Sequence, residues 1–215
     1  KPKFLFWEIL LYIKQVLGVM LVNWDKNHHV TRHVTTKVLY ILILLLSFMP
    51  RALFIGRFQP FHQGHLIDIK NILKEYDEVL IAIGSSNERR TKENPFSYNE
   101  RRSMIKAMLE KNKIKNYRIY PSPDLYNDKK WVDDIRKRLP VFDIVFSGNP
   151  WTLRCFRKHK YKVKRIKLIK GINSTKIREM MIKNQNWQKL VPKEVFDYIR
   201  KIKGVERIKK IYSKR

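Results

Sequence analysis

The stretch with the clearest chemical potential runs from residue 56 to residue 65 and reads Gly-Arg-Phe-Gln-Pro-Phe-His-Gln-Gly-His. His62 and His65 flank Gly64, so the backbone can approach an anion closely while two imidazoles point at it. Arg57 adds a planar guanidinium that suits phosphate oxygens. The chain contains neither a Gly-x4-Gly-Lys-Ser/Thr nor a Gly-x-Gly-x-x-Gly pattern, which disfavours P-loop, kinase and dehydrogenase chemistry. The cluster therefore predicts a phosphate site of another kind.

A strand and a helix must hold this cluster in place. Ala52–Gly56 is a short apolar run that ends in glycine, which predicts a buried parallel strand. Residues 64–76 carry apolar side chains at helical spacing, and Glu78–Gly84 predicts a second buried strand. Strand, helix and strand in this order form a βαβ unit. The predicted anion site therefore lies at the N-terminus of the first helix, where backbone N–H groups point outward.

The rest of the chain continues the same alternation. Ser97 and Glu100 predict a capping box that opens a helix. Further elements are predicted as a strand Tyr117–Tyr120 stopped by Pro121, a helix Lys129–Arg138, a strand Phe142–Phe146, a helix Trp151–Lys158, a basic strand Lys162–Ile169, and two or three amphipathic helices from Ser174 onward, with Pro192 at a helix start. The pattern predicts an α/β fold, a Rossmann-like doubly wound parallel sheet of about five strands. Residues 50–170 form its core, and residues 171–215 form a helical C-terminal portion of the same domain.

Four glycines, at positions 56, 84, 148 and 171, each follow a predicted strand. Ligands of open α/β sheets bind outside the carboxyl ends of the strands. The glycines therefore favour a site where backbone approaches a ligand, although tight turns alone would explain two or three of them.

Charge is the most pronounced feature of the composition. The chain carries 47 Lys and Arg against 19 Asp and Glu, a formal net charge of +28. Most of the excess lies in residues 151–215, where 22 basic residues accompany 4 acidic ones. Such a segment is typical of proteins that bind polyanions, and equally of a solvated, Lys-rich helical surface. A basic polyanion-binding module is therefore an alternative from a different functional class.

Cysteine content bears on the compartment. Cys155 is the only cysteine, so a secreted scaffold stapled by disulfides within the chain is excluded, and a reducing, cytoplasmic location is expected. No Cys/His cluster has the spacing of zinc ligands. Hydrophobic residues make up 44% of the chain, which is ample for a packed core.

Residues 1–49 differ from the remainder. Val38–Met49 is apolar except for Ser47, but it is shorter than the roughly 20 residues that a membrane-spanning helix needs. Three interpretations are open: an upstream stretch translated before a start at Met49, which we favour; a membrane anchor; or a helical addition to the fold. Membrane contact through this N-terminal extension is thus an alternative that we do not favour.

Taken together, these motifs resemble the nucleotidyltransferase α/β superfamily, which pairs a His-x-Gly-His loop with an Ile-Ser-Ser-Thr-x-x-Arg loop. The second loop reads Ile-Asn-Ser-Thr-Lys-Ile-Arg over residues 172–178. Residues 56–62 narrow the resemblance to the archaeal-type nicotinamide-nucleotide adenylyltransferases. Three further segments resemble that family: Pro-Phe-Ser-Tyr-Asn-Glu-Arg at 95–101, Ser-Gly-Asn-Pro at 147–150 and Gly-Val-Glu-Arg at 204–207. The resemblance runs from about Arg51 to Tyr212.

The resemblance implies an enzyme that makes NAD and pyrophosphate from ATP and nicotinamide mononucleotide by direct in-line attack. Such a reaction needs positioning and charge stabilisation rather than a protein nucleophile. A divalent cation, Mg²⁺, would be bound through the ATP phosphates, with no metal ligand from the protein. The resemblance implies catalytic roles for His62, His65 and Arg57. The ATP-binding residues that it implies are Gly56, Phe58, Gly64, Asn149, Ser174, Thr175 and Arg178.

For the second nucleotide, the family uses an Asp-x3-Asn-x2-Trp segment. Here Asp124 and Trp131 match, while Asp128 stands at the family's Asn position with Asn127 just before it. The resemblance implies that Trp131 stacks on the nicotinamide. The residues implied to bind this nucleotide are Gly84, Ser85, Asp124, Asp128 and Trp131. A second departure is Asn173, where the superfamily more often has serine.

The resemblance also implies a homo-oligomer and no nucleic-acid partner. A same-fold alternative is adenylyl or cytidylyl transfer to another phosphorylated acceptor. The two phosphate loops, residues 56–65 and 172–178, contact only the nucleoside triphosphate and do not select the acceptor. The matches at Trp131 and at residues 147–150 favour the nicotinamide nucleotide.

Overall fold

Five parallel strands form one sheet in a computed structural model that describes residues 49–167 and 169–213. The strand order is β3-β2-β1-β4-β5, so the chain winds outward in both directions from β1. In chain order the elements are β1 (Arg51–Gly56), α1 (Gln63–Glu75), β2 (Glu78–Gly84), α2 (Tyr98–Lys111), β3 (Tyr117–Ser122), α3 (Asp128–Arg138), β4 (Ile144–Ser147), α4 (Pro150–Lys158), β5 (Lys162–Arg165), α5 (Ser174–Ile182), a 3-10 turn (Gln188–Leu190), α6 (Lys193–Lys201) and α7 (Gly204–Ser213). The predicted doubly wound parallel sheet is confirmed.

Helices cover both faces of the sheet because successive strand residues point to opposite sides. On one face Phe54 and Ile81 pack with apolar residues of α1, α2, α5, α6 and α7. On the other face Leu53 and Leu80 pack with residues of α3 and α4, among them Phe156. The helices that follow residue 171 thus share a core with the sheet.

Three strands differ by more than one residue from the sequence-based prediction. The strand predicted at Phe142–Phe146 spans Ile144–Ser147. Pro121 was expected to stop β3, yet it lies within the strand and pairs with Ile83. The pairing is tolerated because β3 is an edge strand, where a missing N–H removes no bond to a further neighbour. The basic strand was expected to reach Ile169 but ends at Arg165, since β4 ends at Ser147 and offers nothing further to pair with.

The predictions for residues 1–48 lie outside the described residues. Within residues 49–167 and 169–213, none of the helices combines the length and apolar character that crossing a bilayer requires.

Candidate active site

A cavity of about 350 Å³ lies at the carboxyl edge of the sheet, where β1, β2 and β4 end. Between β1 and β4 the strand order reverses direction, which is the position where doubly wound folds bind ligands. Gly56 and Gly84, the last residues of β1 and β2, line the cavity together with Gly148, which follows β4. The residues expected from the two phosphate loops also come together here: Arg57, Phe58, His62, Gly64, His65, Ser174, Thr175 and Arg178.

His62 and His65 form one stacked unit at the start of α1. His62 is the N-cap residue of the helix, and its backbone N–H donates to Nδ1 of His65 at 3.2 Å. The two rings lie 3.6 Å apart between centroids at an angle of 18°. Because Nδ1 of His65 accepts this bond, the neutral ring carries its hydrogen on Nε2. His65 therefore has a fixed tautomer that offers Nε2–H as a donor.

Gly64 makes this stacking arrangement compatible with the helix. A Cβ atom at this position would lie 3.1 Å from the imidazole of His62, closer than side chains normally approach. Any larger residue would displace that ring. Glycine at position 64 therefore leaves room for the His62 ring, and it also lets the backbone approach a ligand closely.

Burial keeps both imidazoles neutral. Desolvation lowers the pKa of His62 to about 4, and it lowers the pKa of His65 well below the usual range, with a further contribution from His62. His62 Nδ1 is buried and has no hydrogen-bond partner among the described residues. A neutral, buried pair lets a polyanionic ligand receive N–H donors in a water-poor site, and the ligand's charge would then raise both pKa values.

The free energy of unfolding is expected to fall as the pH drops from about 7 toward 4. In this range unfolded histidines bind protons near pH 6.5 whereas the folded pair does not, so acid favours unfolding. His62 alone accounts for about 2 kcal/mol of the loss between pH 7 and pH 5. Urea unfolding of the protein and of His62→Asn at several pH values measures this contribution. Parallel pH profiles for the two proteins would contradict it.

The loop between β1 and α1 rests on aromatic and amide contacts. Phe58 is almost fully buried with φ of +53°, and its ring lies 4.8 Å from that of His65. The Gln59 carboxamide accepts from the Phe96 N–H at 3.0 Å and donates to the Phe96 carbonyl at 2.9 Å. Phe58 thus supports His65 from below, and the segment before α2 fixes the loop.

Arg101 on α2 is a functional-site residue that sequence reasoning noted only as part of a family motif. Its side chain is fully buried, and its guanidinium donates to the carbonyls of Arg57 at 2.8 Å, Gly84 at 2.7 Å and Ser85 at 2.9 Å. A fourth bond, from Nε, reaches the Ser97 carbonyl at 3.3 Å. Burial lowers the Arg101 pKa to about 10, so the group stays charged at neutral pH. Arg101 therefore ties together the ends of β1 and β2.

The N-terminus of α5 faces the same cavity. Asn173 is its N-cap residue and accepts from the Lys176 N–H at 2.8 Å, which explains why asparagine serves in place of serine. The Ser174 hydroxyl donates to the Pro60 carbonyl at 3.1 Å. Arg178 is buried and donates to the Gln59 carbonyl at 2.9 Å, while its Nε has no partner among the described residues. Hydrogen bonds thus join the two phosphate loops to each other.

Two carboxylates also line the cavity. Burial raises the pKa of Asp68, one helical turn after His65, to about 6. Asp124 follows β3, and its backbone N–H donates to Asn87 Oδ1 at 2.9 Å. Ser85, with φ of +48°, lines the cavity after β2. Gly84, Ser85 and Asp124, which are expected to bind the second nucleotide, therefore line the same cavity as the residues of the two phosphate loops.

Two residues expected in the second nucleotide site do not line the cavity. Asp128 is exposed in the first turn of α3. Burial, with a smaller contribution from the nearby Asp128 carboxylate, raises the pKa of the Cys155 thiol to about 11. Asn127, the neighbour of Asp128, caps that helix by accepting from the Lys130 N–H at 2.9 Å. Trp131 is buried, and Nε1–H donates to the Ser122 hydroxyl at 2.9 Å.

The end of β4 brings two further side chains to the cavity wall. Asn149 lines the wall as expected, and it caps α4 by accepting from the Trp151 N–H at 3.0 Å. Trp151, which sequence reasoning did not single out, lines the cavity and is 40% exposed. Its place after the Ser-Gly-Asn-Pro segment put it near the predicted site, but its exposure was not readable from the sequence.

Comparisons with known proteins identify the family of this chain. A cytidylyltransferase-like family model matches residues 53–180. The nicotinamide-nucleotide adenylyltransferase of Thermoplasma volcanium is 41% identical over 163 residues, which cover 75% of this chain and 92% of that protein. The enzyme of the same name from Pyrococcus furiosus is 40% identical over 166 residues, covering 75% of this chain and 88% of that protein.

A solved structure shares the fold. A bifunctional NMN adenylyltransferase/ADP ribose pyrophosphatase from Francisella tularensis, crystallised with AMP and a manganese ion, has a TM-score of 0.62 and 24% identity. The match covers 76% of this chain but only 52% of that protein, so the chain spans about half its length. On the sequence matches, the chain belongs to the nicotinamide-nucleotide adenylyltransferases within the cytidylyltransferase-like family.

Proposed function

We propose that the protein transfers the adenylyl group of ATP to nicotinamide mononucleotide, giving NAD and pyrophosphate. The observation that carries the proposal is the stacked, neutral His62–His65 pair at the start of α1, placed in one cavity with Arg57 and the N-terminus of α5. The named relatives at about 40% identity support the same reaction.

The second phosphate loop would bind the outer phosphates of ATP. The N-terminus of α5, with Ser174, Thr175 and Arg178, would bind the β- and γ-phosphates, because backbone N–H groups and a buried guanidinium favour anions there. Arg178 Nε, which has no partner among the described residues, is a donor available to the ligand. Asn149, which lines the cavity after β4, is the residue that would contact the adenosine.

The transfer itself needs no covalent enzyme intermediate. An oxygen of the acceptor's 5′-phosphate forms a bond to the α-phosphorus, and the bond from that phosphorus to the bridging oxygen breaks, with its electron pair leaving on pyrophosphate. Negative charge builds up on the α-phosphate oxygens between His65 and the exposed Arg57. A neutral Nε2–H donor and a guanidinium stabilise that charge without removing a proton from the substrate.

A divalent cation fits this site as a companion of the nucleotide. Mg²⁺ is commonly held by one or two carboxylates together with substrate phosphates. The cavity wall offers the carboxylates of Asp68 and Asp124 rather than a dedicated cage. When bound, the cation neutralises phosphate charge, and Mg²⁺ is the ion that we propose.

Incubation of the purified protein with ATP, nicotinamide mononucleotide and Mg²⁺ tests the function directly. We expect NAD and pyrophosphate in equal amounts, and neither product when one nucleotide is omitted. CTP in place of ATP, and flavin mononucleotide or phosphopantetheine in place of the acceptor, test the same-fold alternatives. Absence of NAD from the complete mixture would overturn the proposal.

Acceptor selectivity is expected to depend on Asp124 rather than Asp128. The Asp124 carboxylate lines the cavity, where it would repel the carboxylate of nicotinate mononucleotide, whereas Asp128 lies outside it. We expect roughly 10- to 100-fold preference for the amide and about tenfold better use of the acid by Asp124→Asn. Asp128→Asn, the matched control, should change the kcat/KM ratio of the two acceptors less than twofold. A larger shift in the control would reverse the assignment.

A further inference from the structure

The C-terminal helix α7 contacts the stretch of chain that holds the loop between β1 and α1 in place. None of the described residues that line the cavity belongs to α7. Residues 95–101, here called the bracing segment, include Phe96, whose backbone bonds the Gln59 carboxamide, and Arg101, whose guanidinium bonds the Arg57 carbonyl. What fixes the bracing segment therefore also fixes the loop that carries Arg57.

Gly204, the first residue of α7, packs directly on the bracing segment. A Cβ atom at this position would lie 2.9 Å from Cε1 of Phe96 and 2.9 Å from Cγ2 of Ile199. Phe96 is fully buried in a close-packed core, so its ring has little space into which it could move. Glycine thus lets the α7 backbone touch the ring of the residue that holds Gln59.

Arg207, one turn further along α7, is joined to the bracing segment by an ion pair. Its Nη1 donates to Oε1 of Glu100 at 2.8 Å, and its Nη2 donates to the Ile202 carbonyl at 3.1 Å. The Arg207 and Glu100 side chains are only 19% and 14% exposed, so solvent screens the pair weakly. Oε2 of Glu100 accepts from the Ser97 N–H at 2.8 Å, and Arg90 reaches Oε1 at 3.5 Å from a more exposed position. Arg207 therefore fixes the carboxylate that closes the cap of α2.

We propose that Gly204 and Arg207 are positioning residues for adenylyl transfer, which act on the loop between β1 and α1 through the bracing segment. The effect on the rate rests on the proposed function. Arg101 directly follows Glu100, so a shift in the first turn of α2 moves its guanidinium and the Arg57 backbone that it bonds. Small displacements of groups that stabilise charge during transfer slow the reaction. The contacts of the triphosphate with α5 persist, so KM should change less than kcat.

Steady-state kinetics of Arg207→Met test the ion pair, with Arg200→Met as the matched control. Arg200 is exposed on the neighbouring helix α6, where its guanidinium lies 5.6 Å from the centre of the Phe196 ring. We expect kcat of Arg207→Met to fall about 5- to 50-fold, KM for each nucleotide to change less than about threefold, and Arg200→Met to stay within about twofold of the parent. Arg207→Lys should recover part of the rate, because it keeps a cation beside Glu100. If α7 only stabilised the fold, kcat per folded molecule would be unchanged.

The variant Glu100→Gln tests whether Arg207 acts through this carboxylate. Glutamine at the third helical position also closes a capping box, so the change removes the charge and keeps the cap. The double variant Glu100→Gln/Arg207→Met should be no slower than the slower of the two single variants, because both remove the same interaction. Rate losses that multiply would overturn the proposed route through Glu100.

Hydrogen–deuterium exchange measures the coupling independently of catalysis. We expect amides of residues 57–62 to exchange about fivefold faster or more in Arg207→Met and Gly204→Ala, and at the parent rate in Arg200→Met. If Arg207→Met does not fold, Arg207→Lys and Glu100→Gln provide the same comparison.

Two results would overturn the proposal. One is unchanged exchange at residues 57–62 with faster exchange confined to α7, and the other is a kcat of Arg207→Met within about twofold of the parent. If the parent makes no NAD, the proposed function fails. Exchange at residues 57–62 then still decides whether α7 holds the loop in place.

Discussion

Replacement of His65 by alanine is expected to lower kcat by about 100- to 1000-fold, the loss typical of one oxyanion-type donor. His65 presents a neutral Nε2–H because its Nδ1 is occupied by the N–H of His62. That donor acts on charge that builds up during transfer, so KM for both nucleotides should change far less than kcat. Steady-state kinetics with each nucleotide varied in turn measure the split.

Two conservative variants separate the chemical role of His65 from its role in the helix cap. Asparagine places an acceptor near the position of Nδ1, so His65→Asn should keep the bond from His62 and much of the stability while remaining slow. Glutamine places an amide N–H near the position of Nε2, so His65→Gln should recover part of the rate. His159→Ala, a histidine at the end of α4, is the matched control and should keep its rate. Near-normal kcat in His65→Ala would remove this imidazole from the mechanism.

Strand–helix alternation was predictable because burial dictates it residue by residue. Glu78–Gly84 was predicted with its exact bounds, since an apolar run between a charged residue and a glycine has one interpretation in a parallel sheet. The capping box of Ser97 and Glu100 also forms, with bonds of 2.8 and 3.3 Å. Such signals are local and need no knowledge of neighbours. Pro121 was misjudged because tolerance of proline depends on the strand being at an edge, which is a property of the assembled sheet.

The candidate site was predictable as far as it lies in contiguous motifs. His62, Gly64 and His65 are neighbours in the sequence and lie together at the start of α1. The loop at 172–178 is distant in the sequence, and the folding of the chain brings it to the same cavity. The second nucleotide site was less predictable because two of its expected residues, Asp128 and Trp131, lie on α3 and do not line the cavity. Whether Trp131 faces the cavity or the core depends on its neighbours at 122, 151 and 156, and the sequence gives no direct sign of them. The placement of Trp151 depends on the same contact, because its ring stacks on Trp131.

Arg101 shows a different limit of sequence reading. An arginine on an amphipathic helix is usually solvated, and the positions around it on α2 alternate between buried and exposed. What buries it is the set of carbonyls left open at the ends of β1 and β2, which a strand pattern does not reveal. A buried guanidinium with only carbonyl partners is costly to desolvate, so its bonds must offset that cost.

Replacement of Arg101 by methionine is therefore expected to lower the free energy of unfolding by on the order of 3–5 kcal/mol. The change removes donors from the partly buried carbonyls of Arg57 and Gly84 and from the buried carbonyl of Ser85. Urea unfolding at neutral pH measures the loss. Arg102→Met on the exposed side of the same helix is the matched control and should change stability by less than about 1 kcal/mol.

The variant Arg101→Lys tests whether the positive charge of Arg101 or the planar geometry of its guanidinium stabilises the protein. An ammonium keeps the positive charge but cannot span carbonyls that a planar guanidinium reaches with separate nitrogens. We expect Arg101→Lys to recover less than half of the stability lost in Arg101→Met. In the folded fraction of either variant, Arg57 and Ser85 lose a common anchor, so kcat/KM should fall while Arg102→Met keeps its activity. If Arg101→Met unfolds within about 1 kcal/mol of the parent, the carbonyls at the strand ends find other donors, and the stabilising role of Arg101 is refuted.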